Sequence, residues 1–298
     1  MGGRHLMSDD RQRRRAAELI CQCSMELSPR DDPAREQLRE LLAPGTTVFV
    51  NHPASVTHHD IVAACARLRR AGFTPMPHIA ARRLASFTQA RDFVRRAVGD
   101  AEVKGALIVA GDPARPVGPF HDSFDLLSTG LFESQGISHV AFAGYPSGHP
   151  SIAPRHLGMA LRAKLDLADQ RGLGASLVTQ FGFQAAPIES WIGSLRDHGI
   201  VCPIRVGVAG PASIATLAKF AVRCGIGASL RALGRGQTAF ARILMEASPE
   251  ALITALAASE HPDAPIDGLH IFSFGGARHT AEWIHDPVRR RFRAGASA

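Results

Sequence analysis

The sequence has no run approaching the roughly 20 apolar residues of a bilayer-spanning helix. The stretch from Met1 to Arg15 is polar and arginine-rich where an exported chain carries an apolar segment, so a cytoplasmic protein is expected. Cysteine is scarce: Cys21, Cys23, Cys65, Cys202 and Cys224 are odd in number and spread over 298 residues, which argues against a disulfide framework. Cys21 and Cys23 have the spacing that places two thiols on one face of a strand, but no second pair completes a zinc site, so ordinary thiols and no metal are expected. Also missing are a P-loop, a GxGxxG after the first strand-like segment, zinc-finger spacing and an RNP-like aromatic signature. The net charge of +7 therefore does not call for nucleic acid. Much of the basic excess lies in Arg11, Arg13, Arg14 and Arg15 and in Arg289, Arg290, Arg291 and Arg293, which read as solvated terminal segments.

What the sequence does have is a rhythm. Apolar, β-branched stretches occur at Leu19 to Met25, Thr47 to Asn51, Phe73 to Ile79, Val103 to Ala110, Ser138 to Tyr145, Ala175 to Phe183, Pro203 to Val208 and Leu269 to Phe274. Their continuous apolar character, without strict alternation, is that of strands covered by helices. Helical periodicity fills the intervals at Asp60 to Ala71, Ala90 to Val98, Arg155 to Gln170, Ile188 to His198, Ile214 to Arg223 and Glu250 to Ser259, with two or more helices between the last two strands. Gly72, Gly172 and Gly199 lie where helices should stop. These βα units predict a single (β/α)8 TIM barrel over 19–286, with a basic extension at 1–18 and a basic tail at 287–298.

Hydrophilic residues recur where these strands end, and strand ends share one mouth in such a barrel. Glu26 follows the first strand; desolvation would favour its protonated form and suit it to general acid work, while pairing with a loop arginine is the plainer alternative. Asp112, on the Gly111-Asp112-Pro113 turn, can accept donors from a heterocycle or simply cap its turn. His78, Tyr145 and His149 can stack around an aromatic cofactor or fasten loop carbonyls. Gln180 suits an amide-containing ring, with Phe181 and Phe183 beside it more in keeping with a core. Asn51 and His52 close the second strand. His58-His59 opens a helix and reads as capping or solvent-facing. Gly207, Gly210 and Pro211, with Ser213 as a helix cap, form a segment whose amides suit an anion.

Five segments carry a resemblance: Ser24-Met25-Glu26-Leu27-Ser28-Pro29-Arg30, Pro77-His78, Gly111-Asp112, Gly144-Tyr145-Pro146-Ser147-Gly148-His149-Pro150 and Val178-Thr179-Gln180-Phe181-Gly182-Phe183. In this order the chain resembles the methylenetetrahydrofolate reductase family. The resemblance implies a barrel that binds FAD and reduces 5,10-methylenetetrahydrofolate to 5-methyltetrahydrofolate with NADH, NADPH or another donor. Glu26 matches the acid that assists opening of the methylene bridge; Asp112 and Gln180 match folate contacts, Asp112 lying beside the flavin as well. His78, Tyr145 and His149 match flavin-side positions, Lys164 is a retained charge on the dinucleotide side, and Arg278 is placed to meet an acidic folate tail. Val50-Asn51-His52-Pro53-Ala54 stands where the family has a threonine-tyrosine-glycine-alanine-like segment, so Asn51 and His52 are expected to contact the cofactor, and Ala110 stands where it has arginine.

A small-molecule folate substrate is thus the expected partner, without nucleic acid or membrane, and a homo-oligomer is left open. Two other functions stay open: a folate-dependent C1 transferase or demethylase without ordinary flavin chemistry, and a noncatalytic folate-binding protein.

Overall fold

The computed structural model describes residues 2–224, 248–258 and 266–289, with the side chains of residues 2–9, 223 and 287–289 outside that description. Helix α1 spans Gly2–Cys21 and leads into β1, Ser24–Leu27. Next come α2 (Leu38–Leu41), β2 (Thr47–Val50), α3 (His58–Arg70), β3 (Thr74–Ala80), a 3-10 turn (Ala81–Arg83), α4 (Phe87–Ala101) and β4 (Gly105–Val109). Short α5 (Ser123–Ser128) and α6 (Leu131–Ser134) precede β5 (His139–Gly144), followed by α7 (Pro154–Gln170), β6 (Gly174–Gly182), α8 (Ala185–Asp197) and β7 (Ile204–Ala209). Then α9 (Ile214–Arg223), α10 (Pro249–Ala258), β8 (Gly268–Phe272) and α11 (Ala277–Arg289) complete the described chain.

The strands close into a barrel in sequence order, β1 to β8. Pairing is parallel wherever the register is resolved, for example Glu26 opposite Phe49 and Val208 opposite Ile271. A closed parallel barrel with alternating helices is the (β/α)8 architecture expected from the sequence. The helices begin and end where their chemistry requires. Thr57 and Asp60 form a reciprocal capping box on α3, Ser248 accepts the Ala251 amide before Pro249 of α10, and Gly72 follows α3 with a φ of 87°.

The first strand differs from expectation. Leu19 and Ile20 were read as strand residues, but they end α1, and β1 starts only at Ser24. Ala16, Leu19 and Ile20 are buried at helical spacing, and an amphipathic helix buries that stripe where a strand would expose every second residue. Cys21 is consequently the last residue of a helix and exposed, whereas Cys23 is buried, so the two thiols do not share a strand face. Within the arginine-rich start, Arg11, Arg13 and Arg14 are solvent-exposed as expected, but they lie on a docked helix. α1 packs on α10 and α11, with Gln12 Nε2 donating to Thr254 O at 2.8 Å and Arg15 Nη2 to Ile266 O at 3.0 Å. Arg290, Arg291, Arg293 and Ser259 lie outside the described residues.

Contacts group the chain into two compact units, one of Met1–Ser24, Tyr145–Ala153 and Thr179–Ala298, the other of Met25–Gly144 and Pro154–Val178. In the first unit, Phe181, Ala209, Leu217 and Ala221 form a buried cluster, extended by Phe220 stacked on Phe274 at 4.1 Å between centroids. In the second, Phe49, Met76, Leu107, Ala141 and Val178 form a layer drawn from consecutive strands. Among the described residues no helix is long and apolar enough to cross a membrane.

Candidate active site

In the second unit, the side chains one step above the Phe49–Met76 layer are polar. A strand returns to the same face every second residue, so Asn51 follows Phe49 and His78 follows Met76 on that face. Glu26 joins them from β1. Asn51 Nδ2 donates to Glu26 Oε1 at 3.2 Å, and His78 Nε2 lies 3.6 Å from Glu26 Oε2. The Glu26 and His78 side chains are each only 14% exposed. The Phe49 ring meets His78 edge-on at 6.0 Å, forming an apolar floor. An acid, an imidazole and an amide therefore converge from three neighbouring strand ends, and a positioned carboxyl is a side chain that can serve in proton transfer.

His52, the next residue along, turns to the helix layer. Its ring meets Phe93 of α4 edge-on at 6.0 Å, and Nδ1 accepts a long bond from the Ala80 amide at 3.4 Å. Burial, reinforced by the charges of Arg83 and His78, pushes its pKa down to about 4. It is thus a neutral imidazole at pH 7. Lys164 on α7 likewise points inward, its Nζ 5.1 Å from the centroid of Phe142. Burial lowers its pKa, opposed by the charge of Asp122.

Asp112 sits in the loop after β4 with its side chain 63% exposed, 3.9 Å from Arg83 Nη2. Two arginines that sequence reasoning passed over organise this loop. Arg82 Nε donates to His121 O at 2.6 Å and Nη1 to Pro113 O at 3.2 Å, while the Val117 amide returns to Arg82 O at 3.0 Å. Their signal in sequence was only two basic residues directly after a strand.

In the first unit, Gln180 Nε2 donates to Gly148 O at 3.1 Å, tying β6 to the Tyr145–His149 turn. Tyr145 and His149 contact edge-to-face at 5.2 Å, and the Ser151 amide donates to His149 Nδ1 at 3.2 Å. Burial raises the Tyr145 pKa, with Cys224 adding to the effect. Phe181 is 1% exposed, in keeping with a core role. Arg278 lies on α11 with Nε donating to Glu282 Oε1 at 2.8 Å.

Gly207 is not part of a terminal anion loop but lies inside β7. A Cβ there would come 2.4 Å from Thr179 O, and the Gly207 amide donates to Thr179 Oγ1 at 2.8 Å. Ser213 does cap α9, accepting the Thr216 amide at 3.2 Å. Another polar pair escaped the sequence reading: Ser24 Oγ lies 3.0 Å from His270 Nδ1, both residues fully buried. An apolar cleft in this unit, lined by Gly182, Phe183, Ala209, Pro211 and Leu252 among others, includes none of Tyr145, His149 and Gln180.

Among the described residues, His58, His59 and Asp92 form the one group whose ligand atoms come within 4.8 Å of one another. Asp92 is already engaged by Arg95 Nη2 at 2.8 Å and Arg96 Nε at 3.1 Å, so guanidinium cations occupy the carboxylate that a metal would need.

No family model matches the chain. Among solved structures it is similar to Yersinia pestis DHPS with pterine-sulfa conjugate Compound 16, at 11% identity and a TM-score of 0.47, over 91% of this chain and 95% of that one. A likeness of that degree bears on neither substrate nor chemistry.

Proposed function

We propose that the protein reduces 5,10-methylenetetrahydrofolate to 5-methyltetrahydrofolate, with Glu26 as proton donor. The observation that carries this reading is the enclosed Glu26 carboxyl, held on one oxygen by Asn51 and facing His78 on the other. Desolvation favours the protonated form of a carboxyl. In that form Glu26 donates to the folate nitrogen that leaves as the methylene bridge opens. Asp112, exposed on its loop, accepts hydrogen-bond donors of the pterin.

The residues assigned to FAD divide in their fit. Tyr145 and His149 offer an aromatic edge and face of the kind that packs on an isoalloxazine. A reduced flavin, recharged by NADH or NADPH, supplies the hydride when bound. His52 and Lys164 do not suit a pyrophosphate, because the first is neutral against Phe93 and the second lies over Phe142. That observation favours a second reading, a folate-dependent C1 transferase or demethylase that retains Glu26, Asp112 and Gln180 without ordinary flavin chemistry.

Absorption spectroscopy, folate binding and anaerobic reduction with NADH or NADPH separate the readings. Flavin whose reoxidation depends on methylenetetrahydrofolate supports the reductase. Folate binding without flavin uptake, together with methyl transfer to an added acceptor, selects the second, and absence of folate binding removes both.

A further inference from the structure

We infer that Arg83 selects the pterin ring of the substrate: its guanidinium donates to the 4-carbonyl oxygen, while Asp112 beside it accepts from the N3–H and the 2-amino group. The inference rests on the proposed folate chemistry and adds a specificity residue to it. The turn that carries Arg83 is fixed on both flanks. Ala81 and Leu84 are buried, and the Arg82 amide donates to Ala110 O at 2.9 Å, which holds the turn against the end of β4. Gly111, with a φ of 93°, lets the following loop pass so near β3 that a Cβ there would lie 3.0 Å from that of Ala80. Asp112 is thereby set beside Arg83.

The two arginines of the turn have different surroundings. Arg82 gives Nε to His121 O and Nη1 to Pro113 O. Arg83, its side chain only 15% exposed, has Nε buried with no hydrogen-bond partner among the described residues. Its Nη2 lies 3.9 Å from Asp112 Oδ2, beyond hydrogen-bonding distance. His52, whose pKa the Arg83 charge helps to lower, is neutral at pH 7 and brings no negative charge. Enclosing a cation whose donors go unused is costly, so such a group calls for an acceptor. The Asp112 side chain is mostly exposed, and the pair opens to solvent on that side.

A carboxylate and a guanidinium side by side match a ring edge on which N–H and C=O are adjacent. A pterin presents a 2-amino group, N3–H and a 4-carbonyl in a row, two donors for the carboxylate and one acceptor for the guanidinium. An isoalloxazine presents N3–H between two carbonyls, one of which would oppose the carboxylate. The pair therefore favours the pterin.

The test is calorimetric titration of the full chain at pH 7 with three rings: pterin, 2,4-diaminopteridine, which has an amine in place of the 4-carbonyl, and lumazine, which has the 2,4-dioxo edge of a flavin. The native protein is expected to bind pterin at least about tenfold more tightly than either analogue, the worth of a hydrogen bond to a charged group. Arg83→Met, which puts an apolar chain in place of the enclosed charge, is expected to remove the preference over 2,4-diaminopteridine. A preference that survives in Arg83→Met overturns the inference. Equal loss of affinity for all three rings also overturns it, because a mere prop for the Asp112 loop would act that way. If Arg83→Met does not fold, the native titrations decide: equal binding of pterin and either analogue overturns the inference. An Arg83-dependent preference without methylenetetrahydrofolate turnover supports the contact and removes the reductase reading, whereas turnover with an unchanged preference in Arg83→Met overturns the contact alone. Failure of the native protein to bind pterin overturns the inference, and turnover then decides the reductase reading separately.

Discussion

Asn51 reaches across from the end of β2 to hold Glu26 Oε1 at 3.2 Å, while its own Oδ1 is buried without a hydrogen-bond partner among the described residues. The Asn51 amide thereby fixes the orientation of the Glu26 carboxyl. Asn51→Ala is expected to lower kcat about tenfold with little change in KM, the signature of lost orientation. Asn51→Asp sets a second carboxylate beside Glu26, which disfavours its ionised form and raises its pKa. The falling limb of the kcat–pH profile should then move to higher pH, and an unmoved limb contradicts the contact.

His52 ties stability to pH. Its folded pKa, near 4, lies well below the 6.5 of an ordinary imidazole. The unfolded chain therefore binds the proton more readily. The contribution is whole above pH 6.5 and is lost as pH falls toward 4. Urea unfolding midpoints of the native protein should drop between pH 7 and pH 4.5, and His52→Gln should flatten that drop. Parallel slopes in the two proteins would contradict the buried neutral imidazole.

Gly207 admits no side chain, since the nearest atoms to a Cβ are backbone oxygens of Thr179 and Gln180 at 2.4 and 2.7 Å. Gly207→Ala should destabilise the protein by about 3 kcal/mol or more. Gly193→Ala, in α8 with nothing within 4 Å of the added carbon, should instead stabilise it by about 0.5–1 kcal/mol. Thermal unfolding of the two variants tests the contrast, and a Tm for Gly207→Ala equal to that of the native protein refutes the close strand approach.

Thiol chemistry follows burial. Cys21 is exposed while Cys23 and Cys65 are buried, and desolvation pushes the Cys23 pKa up to about 12 and that of Cys65 higher still. A thiol reagent at pH 8 should label Cys21 at once and reach Cys23 and Cys65 only on unfolding. Early labelling of Cys65 in folded protein would contradict the packing of α3.

The barrel was legible because continuous apolar strands and 3.6-residue helices differ in period, and the strand bounds from β2 onward fall within two residues of those expected. β1 was displaced because Leu19 and Ile20 belong to the buried stripe of α1, and an apolar pair has no period of its own. Glu26, Asn51 and His78 were each singled out, but their mutual contact was not, since it depends on the register that sets Glu26 opposite Phe49. His52 was grouped with a cofactor although its ring turns the other way, a difference of one residue in a strand. The Ser24–His270 pair joins residues 246 apart and left no local pattern to read.

The most direct measurement is anaerobic single turnover of methylenetetrahydrofolate with reduced flavin, comparing native protein with Glu26→Gln of unchanged circular dichroism. The account requires the folate half-reaction to slow by about a hundredfold or more, the range of general acid catalysis, while flavin reduction keeps its rate. Equal folate half-reaction rates in the two proteins would show that Glu26 is not the acid.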